Sequence, residues 1–275
     1  MELDVSSTLI VVLFLAAFCS GFLNAVVGGG GFILFPVMLA VGIAPIYALA
    51  LNKLQNTAAN STSSYHFYRK GYVDVKGNKW VYVSAMLGAF TGVTMLEAAS
   101  NSGWLAKLIP YVLIIVACFM AKGLVGKLNK KKTNDSENEA TAAPVGVREF
   151  TLSERWRPII NVVFGSVIGV YGGFFGPGTG PVVVSAFSFI RTYNLRQAIS
   201  NSKVILLITN ACSLVFLIYA GYVWWFVGGF MVLGGVLGSF VGARVMLKAD
   251  VTLLHVLLVL VPLASGLKML FVDGA

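Results

Sequence analysis

Long apolar runs separated by short polar connections make up most of the chain. They cover residues 8–42, 46–68, 80–96, 104–125, 158–190, 197–219, 226–243 and 252–271. A helix that crosses a membrane needs about 20 mainly apolar residues, with a range of about 17–25. Most of these runs reach that length. The pattern therefore predicts an all-α membrane protein with several spanning helices.

The same polar interruptions occur twice along the chain. A glycine-rich break lies in the first apolar run at residues 28–31 and in the fifth at residues 176–178, and a lysine follows each break, Lys53 and Lys203. Equivalent positions lie 148 residues apart up to the second break and 150 apart from the lysines onward. A duplicated apolar unit whose first segment is broken by glycine is typical of secondary transporters.

One hydrophilic segment, residues 126–156, separates the two repeats. It contains three consecutive lysines followed by a stretch rich in alanine, threonine and proline, a composition that favours a flexible linker. Its basic residues place it in the cytoplasm. We therefore assign residues 1–125 to a first transmembrane repeat and residues 157–275 to a second.

Lysine and arginine are concentrated in alternate connections, which indicates how the chain is oriented. Residues 69–79 carry four basic residues, whereas residues 97–103 carry none, and basic loops stay in the cytoplasm. The charges agree with the duplication if each glycine-broken run enters the membrane and returns. Each repeat then has about five helical segments, so the second repeat is inverted and both termini lie outside. The return arms, 32–42 and 180–190, are short, and the sequence leaves open whether they span or re-enter.

Composition and charge agree with a protein whose main partner is the lipid bilayer. Hydrophobic residues make up 57% of the chain and charged residues 11%, against roughly 25% charged in a soluble domain. The net charge of +9 comes mostly from the connections and the linker, so it sets orientation and does not indicate nucleic acid. A homo-oligomer is compatible with this sequence, which does not fix the oligomeric state.

The two glycine-rich breaks are candidates for contact with a substrate. Four consecutive glycines, or Gly-Pro-Gly, cannot continue a stable helix, and unwound backbone inside a membrane must be buried in protein or line a cavity. Each break also exposes the N-terminus of the next helix, which suits an anion. The alternative is close helix packing by small residues, which we favour for Gly88, Gly92, Gly238 and Gly242.

Lys53 and Lys203 add positive charge inside apolar helices. A charged side chain near the middle of a bilayer costs several kcal/mol, and each lysine has an asparagine two turns further along the same face. The alternative is snorkelling of the lysine to the headgroups. Aspartate and glutamate do not occur well inside any apolar run, so the site favours an anionic substrate. The predicted substrate-binding residues are Gly28, Gly29, Gly30, Gly31, Asn52, Lys53, Asn56, Asn60, Gly176, Pro177, Gly178, Thr179, Lys203 and Asn210.

Four segments resemble the TauE/SafE family of prokaryotic membrane permeases: residues 28–36, 50–55, 173–178 and 201–203. The resemblance extends over both repeats. It implies a multi-pass permease of the inner (plasma) membrane for small sulfur-containing anions such as sulfite and organosulfonates. Leu51 departs from the pattern, because members of the family often carry a small polar residue there.

These observations predict a permease that moves a small anion by alternating access between the repeats. An anion channel with a continuous pore, or a membrane scaffold for a partner enzyme, are the alternatives. Serine hydrolase, zinc and dinucleotide signatures are absent from the sequence, so we expect neither an enzyme nor a cofactor or metal site.

Overall fold

A computed structural model describes residues 7–100, 157–190 and 193–249, and within these ranges the chain forms eight α-helices. Their bounds are α1 Ser7–Val27, α2 Gly31–Ala40, α3 Pro45–Arg69, α4 Lys79–Ser100, α5 Arg157–Phe174, α6 Thr179–Ile190, α7 Leu195–Tyr219 and α8 Trp225–Lys248. The all-helical prediction is confirmed over these ranges. The predicted linker, 126–156, and the apolar runs 104–125 and 252–271 lie outside the described residues.

Four of the described helices, α1, α4, α7 and α8, are long and apolar enough to cross a membrane. Helix α3 matches α7 in length at 25 residues, but its asparagines, serines and lysine make it much more polar. Helices α2 and α6 have only 10 and 12 residues. At about 1.5 Å per residue they extend over roughly half of a hydrocarbon core about 30 Å thick.

The outward faces of the long helices are apolar. Leu87 and Phe90 on α4 are 62% and 58% exposed, and Leu233 on α8 is 58% exposed. A soluble monomer rarely exposes large contiguous apolar patches. Such faces are those of a protein surrounded by lipid.

Glycines allow helices from opposite halves of the chain to pack closely. Helix α1 packs against α8, and α4 packs against α5. A Cβ atom built on Gly238 would lie 2.0 Å from the backbone oxygen of Phe18, and one on Gly92 would lie 2.2 Å from that of Val170. These distances are too short for any side chain, so the packing role predicted for Gly92 and Gly238 is confirmed.

Helices α3 and α7, which carry the two lysines, pack against each other. Helix α3 also packs against α8, and α7 against α4. The two start differently: Pro45 occupies the first turn of α3, whereas Asn194 caps α7 by accepting a hydrogen bond from the backbone N–H of Gln197. Both helices carry the polar residues of the site on a buried face.

Candidate functional site

The two lysines are fully buried and bind backbone oxygens across the molecule. Lys53 and Lys203 are each 0% exposed. The Lys53 ammonium donates a hydrogen bond to the backbone oxygen of Gly172 on α5, and the Lys203 ammonium donates to that of Asn24 on α1. Gly172 and Asn24 are 148 residues apart, so they are equivalent positions of the two repeats. A snorkelling lysine would place its ammonium at the surface, which neither of these does.

Each lysine also lies against the glycine break of the opposite repeat. A Cβ atom on Gly176 would lie 2.9 Å from Lys53 Nζ, and one on Gly28 would lie 3.4 Å from Lys203 Nζ. Both glycines have a positive φ, +85° and +86° respectively, which other residues rarely adopt. Glycine is therefore required at both positions by the backbone, and at Gly176 also by the neighbouring ammonium group.

The two breaks contact each other. A Cβ atom on Gly28 would lie 3.0 Å from the backbone of Gly180, and one on Gly31 would lie 3.1 Å from Cα of Pro177. Helices α2 and α6 start at Gly31 and Thr179, immediately after the breaks. The first N–H groups of both helices bond to the breaks themselves, since the backbone N–H of Phe32 donates to the oxygen of Gly29 and that of Thr179 donates to the oxygen of Gly176.

Each break folds back against the helix that precedes it. A Cβ atom on Gly30 would lie 2.8 Å from Cβ of Asn24, six residues earlier. In the second repeat, Tyr171 Oη donates to the backbone oxygen of Pro177 at 3.2 Å, and Thr179 Oγ1 donates to that of Gly176 at 2.7 Å. The polar groups of the second break are thus satisfied locally.

Four buried asparagines form a hydrogen-bonded chain, which we call the amide chain. Asn24 Nδ2 donates to Asn56 Oδ1 at 3.1 Å and to Asn60 Oδ1 at 3.0 Å. Asn56 Nδ2 donates to Asn52 Oδ1 at 2.9 Å. The chain joins α1 to α3, and through the backbone oxygen of Asn24 it also reaches Lys203. The structure therefore brings Asn52, Asn56 and Asn60 together, and adds Asn24, which the sequence prediction missed.

Comparison with known proteins decides the family. The sequence profile of the sulfite exporter TauE/SafE family matches residues 13–269. This chain is a member of that family. No solved structure gives a significant match.

Bacterial relatives of this TauE/SafE protein carry the names of transporters. It is 26% identical over 272 residues to a probable membrane transporter protein of Haemophilus influenzae, covering 99% of this chain and 98% of the relative. It is 28% identical over 267 residues to the probable membrane transporter protein YfcA of Escherichia coli K12, covering 97% and 91%. It is also 28% identical to the probable membrane transporter protein ORF9 of Sinorhizobium sp., covering 97% and 94%. The chain thus belongs to a family of multi-pass membrane transporters.

The second repeat of this TauE/SafE protein has no amide chain. Gly172, Ser202 and Leu206 occupy the positions equivalent to Asn24, Asn52 and Asn56. Asn210, the equivalent of Asn60, donates from Nδ2 to the backbone oxygen of Leu206 on its own helix, at 2.7 Å. The two lysines therefore have equivalent backbone partners but different side-chain surroundings.

Acidic residues are absent from seven of the eight described helices, since only α4 carries one, Glu97. The described residues also contain no group of histidine, cysteine, aspartate or glutamate that could hold a metal ion. The partners of the two buried ammonium groups are carbonyl oxygens, which carry only partial charge. Within the described helices, neither lysine therefore has a carboxylate as its counter-charge.

A second polar cluster joins the two halves of this TauE/SafE protein at the start of α7, and we call it the Asn201 junction. Asn201 Oδ1 accepts from the backbone N–H of Asp74 at 2.9 Å and from Asn78 Nδ2 at 3.1 Å. Its Nδ2 donates to the backbone oxygen of Tyr72 at 3.2 Å. Tyr193 Oη donates to Asp74 Oδ2 at 3.1 Å. Sequence reasoning missed this cluster because Asn201 has an apolar equivalent, Leu51.

Proposed function

We propose that this protein is an inner-membrane permease that moves a small sulfur-containing anion, such as sulfite or an organosulfonate, by alternating access at a cationic site between inverted repeats. One observation carries the proposal: Lys53 and Lys203, both 0% exposed, reach across the molecule to equivalent positions of the opposite repeat. The bacterial relatives support the prokaryotic inner membrane as its location.

Charge is the argument for an anion. Burying an ammonium group without a carboxylate partner is costly, because carbonyl dipoles only partly replace its hydration. An anion bound beside Lys53 and Lys203 would offset that cost. The positive ends of the helix dipoles of α2 and α6, which begin at Gly31 and Thr179, would also favour an anion.

The pattern of helix packing supports two related repeats. Exchanging the repeats converts the α1–α8 pair into the α5–α4 pair, and both pairs pack closely. The charge of equivalent connections supports inversion of one repeat relative to the other. Residues 70–78 contain two lysines, whereas the equivalent residues 220–228 contain no basic residue, so the positive-inside rule places them on opposite sides of the membrane.

Alternating access is favoured over a continuous pore by the burial of both lysines. A carrier requires a state in which the site is closed to both sides, and the complete burial of Lys53 and Lys203 agrees with such a state. Counterflow in proteoliposomes distinguishes the two mechanisms. A carrier exchanges labelled for unlabelled anion faster when anion is present on the far side, whereas a channel shows no such stimulation.

The binding role of the lysines is tested by substitution. In purified protein, ligand-induced thermal stabilisation would first identify a ligand among sulfite, thiosulfate, sulfate, sulfoacetate, taurine and carboxylates. We expect Lys53→Ala or Lys203→Ala to weaken its binding by well over tenfold, because losing one partner of a buried charge interaction costs about 2–5 kcal/mol. Substitution of either lysine by arginine should retain only part of the affinity, since a planar guanidinium group replaces the compact ammonium group.

The matched control is Lys76→Ala, which removes an exposed lysine from the connection between α3 and α4. Its affinity should equal that of the wild type. The double variant of Lys53 and Lys203 should bind little worse than either single variant if both lysines hold one ligand. Affinity within about twofold of wild type for both single variants would refute the central cationic site.

A further inference from the structure

The amide chain ends in two donors that have no acceptor. Among the described residues, Asn52 Nδ2 and Asn60 Nδ2 are buried without a hydrogen-bond partner, and the two side chains are 0% and 1% exposed. The oxygen atoms of Asn52, Asn56 and Asn60 are all occupied, because each accepts one hydrogen bond within the chain. A buried N–H without an acceptor costs free energy, so a ligand that supplies an acceptor to either end would be stabilised.

The amide chain adjoins the cationic site through Asn24. Asn24, which donates to both Asn56 and Asn60, also gives its backbone oxygen to Lys203. An anion beside Lys203 would therefore adjoin the amide chain and bring acceptor oxygens towards its unpaired donors.

The direction of the chain matters for which anion fits. If all four amides turned together, the three internal bonds would survive, but the oxygen atoms of Asn52 and Asn60 would then point outward. An anion held by Lys53 and Lys203 would face those oxygens and be repelled. The arrangement with outward N–H groups is thus the one that stabilises an anion.

From these contacts we infer that the amide chain restricts the site to anions that present acceptor atoms only, and that Asn24 gives both ends of the chain the same direction by using both of its N–H groups inside it. A ligand with an O–H or N–H group facing Asn52 or Asn60 would place donor against donor. Sites with buried hydrogen-bonding groups reject such mismatched ligands strongly, because their own groups are left unpaired. The inference rests on the proposed function and names the feature that the anion must have.

Methanesulfonate and methylphosphonate test it, because they have nearly the same shape. At mildly acidic pH both carry one negative charge, but methylphosphonate keeps one P–OH donor. We expect the purified wild-type protein to bind methanesulfonate at least about tenfold more tightly. As the pH rises, methylphosphonate loses its O–H and should gain affinity, whereas methanesulfonate binding over the same range reports any titration of the protein itself.

Substitutions assign the discrimination to the amide chain. Asn60→Leu removes one unpaired donor, and Asn24→Gly introduces the residue found at the equivalent position of the second repeat. Both should reduce the ratio of the two affinities towards one. The matched comparison is Ser61→Ala, which alters an exposed polar residue of α3 whose hydroxyl bonds to the backbone oxygen of Thr57, so both affinities and their ratio should stay at the wild-type values.

The outcomes separate the two proposals. Equal binding of both anions by the wild type at acidic pH would overturn the inference and leave the anion permease standing, as would preferential binding of the methylphosphonate monoanion. A ratio that is unchanged in both Asn24→Gly and Asn60→Leu would overturn the role of the amide chain. Failure of the wild type to bind either anion, or any anion of the wider set, would overturn the proposed function and the inference together.

Discussion

Lys53 and Lys203 each end on a backbone carbonyl oxygen, and this choice of partner determines what the site can do. A carboxylate partner would neutralise the ammonium and leave little attraction for a ligand. A carbonyl dipole satisfies one N–H of the ammonium but leaves most of its charge. The oxygens of Gly172 and Asn24 hold the two side chains in place, and under the proposed function the charge of the two lysines then binds the anion.

At Gly176 we predict that a methyl group disturbs Lys53. The Gly176→Ala side chain would lie 2.9 Å from Lys53 Nζ, so the ammonium must move, and we expect anion affinity to fall several-fold. The residue also keeps φ at +85°, which costs about 1–2 kcal/mol of stability for alanine. Ligand-binding titration and thermal unfolding of the purified variant measure the two effects separately.

Gly221→Ala is the matched control for that experiment. Gly221 has φ +77°, and a Cβ atom there would meet nothing within 4 Å. The variant should lose about the same stability and keep its affinity. If the two variants lose affinity to the same degree, backbone strain and not contact with Lys53 explains the result.

The duplication identified some site residues and missed others for a physical reason. It marked the lysines and the glycine breaks because both occur at equivalent positions in the two halves of the sequence, and the structure brings these residues together. Asn24 was missed because its equivalent is Gly172, so a single asparagine in an apolar helix carried no repeated signal. Asn210 was predicted from its match to Asn60, but its amide bonds to its own helix, and its role in binding stays a prediction.

At the scale of elements, the N-terminal turns of α3 and α7 contact the other half of the chain in different ways. The Asn201 junction is polar, whereas the equivalent residues in the other repeat, Leu51 for Asn201 and Trp224 for Asp74, are apolar. There the ring of Tyr47 lies 5.0 Å from that of Trp224 and 5.6 Å from that of Tyr222. One end is therefore held by directional hydrogen bonds and the other by aromatic packing.

We predict that the Asn201 junction contributes measurably to stability. Tyr193→Phe removes the hydroxyl that donates to Asp74 and accepts from Asn78 Nδ2 at 3.1 Å. Leaving buried polar partners unsatisfied costs about 1–3 kcal/mol, so the variant should unfold at a lower temperature. Tyr219→Phe, in a side chain that is 92% exposed, should unfold like the wild type. Equal unfolding temperatures for both variants would contradict this role.

Helix positions were largely predictable, but helix partners were not. The predicted runs 46–68 and 197–219 match α3 and α7 closely, since apolar length and flanking glycine or proline fix where helices start and end. The pairing of α1 with α8 depends on contacts such as Gly238 against Phe18. A glycine motif indicates close helix packing but does not identify the helix against which it packs.

At the scale of the whole molecule, we predict that the two connections of the first repeat lie on opposite sides of the membrane. Ala44 and Lys76 are both exposed, and single cysteines there can be labelled in a background that lacks Cys19, Cys118 and Cys212. In intact cells an impermeant thiol reagent should label Ala44→Cys and not Lys76→Cys, which should react only after lysis. Labelling of Lys76→Cys in intact cells would reverse the proposed orientation.

The exchange of partners between the halves has a consequence for how the protein is made. Helices α1 and α4 leave the ribosome long before α8 and α5, the helices that fill their glycine-lined faces. Until α5 and α8 are made, the first half of the chain therefore lies in the bilayer without these two partners. A gene divided between the two repeats should yield a working protein only when both pieces are synthesised into the same membrane, since α1 and α4 have their most extensive contacts with helices of the other piece.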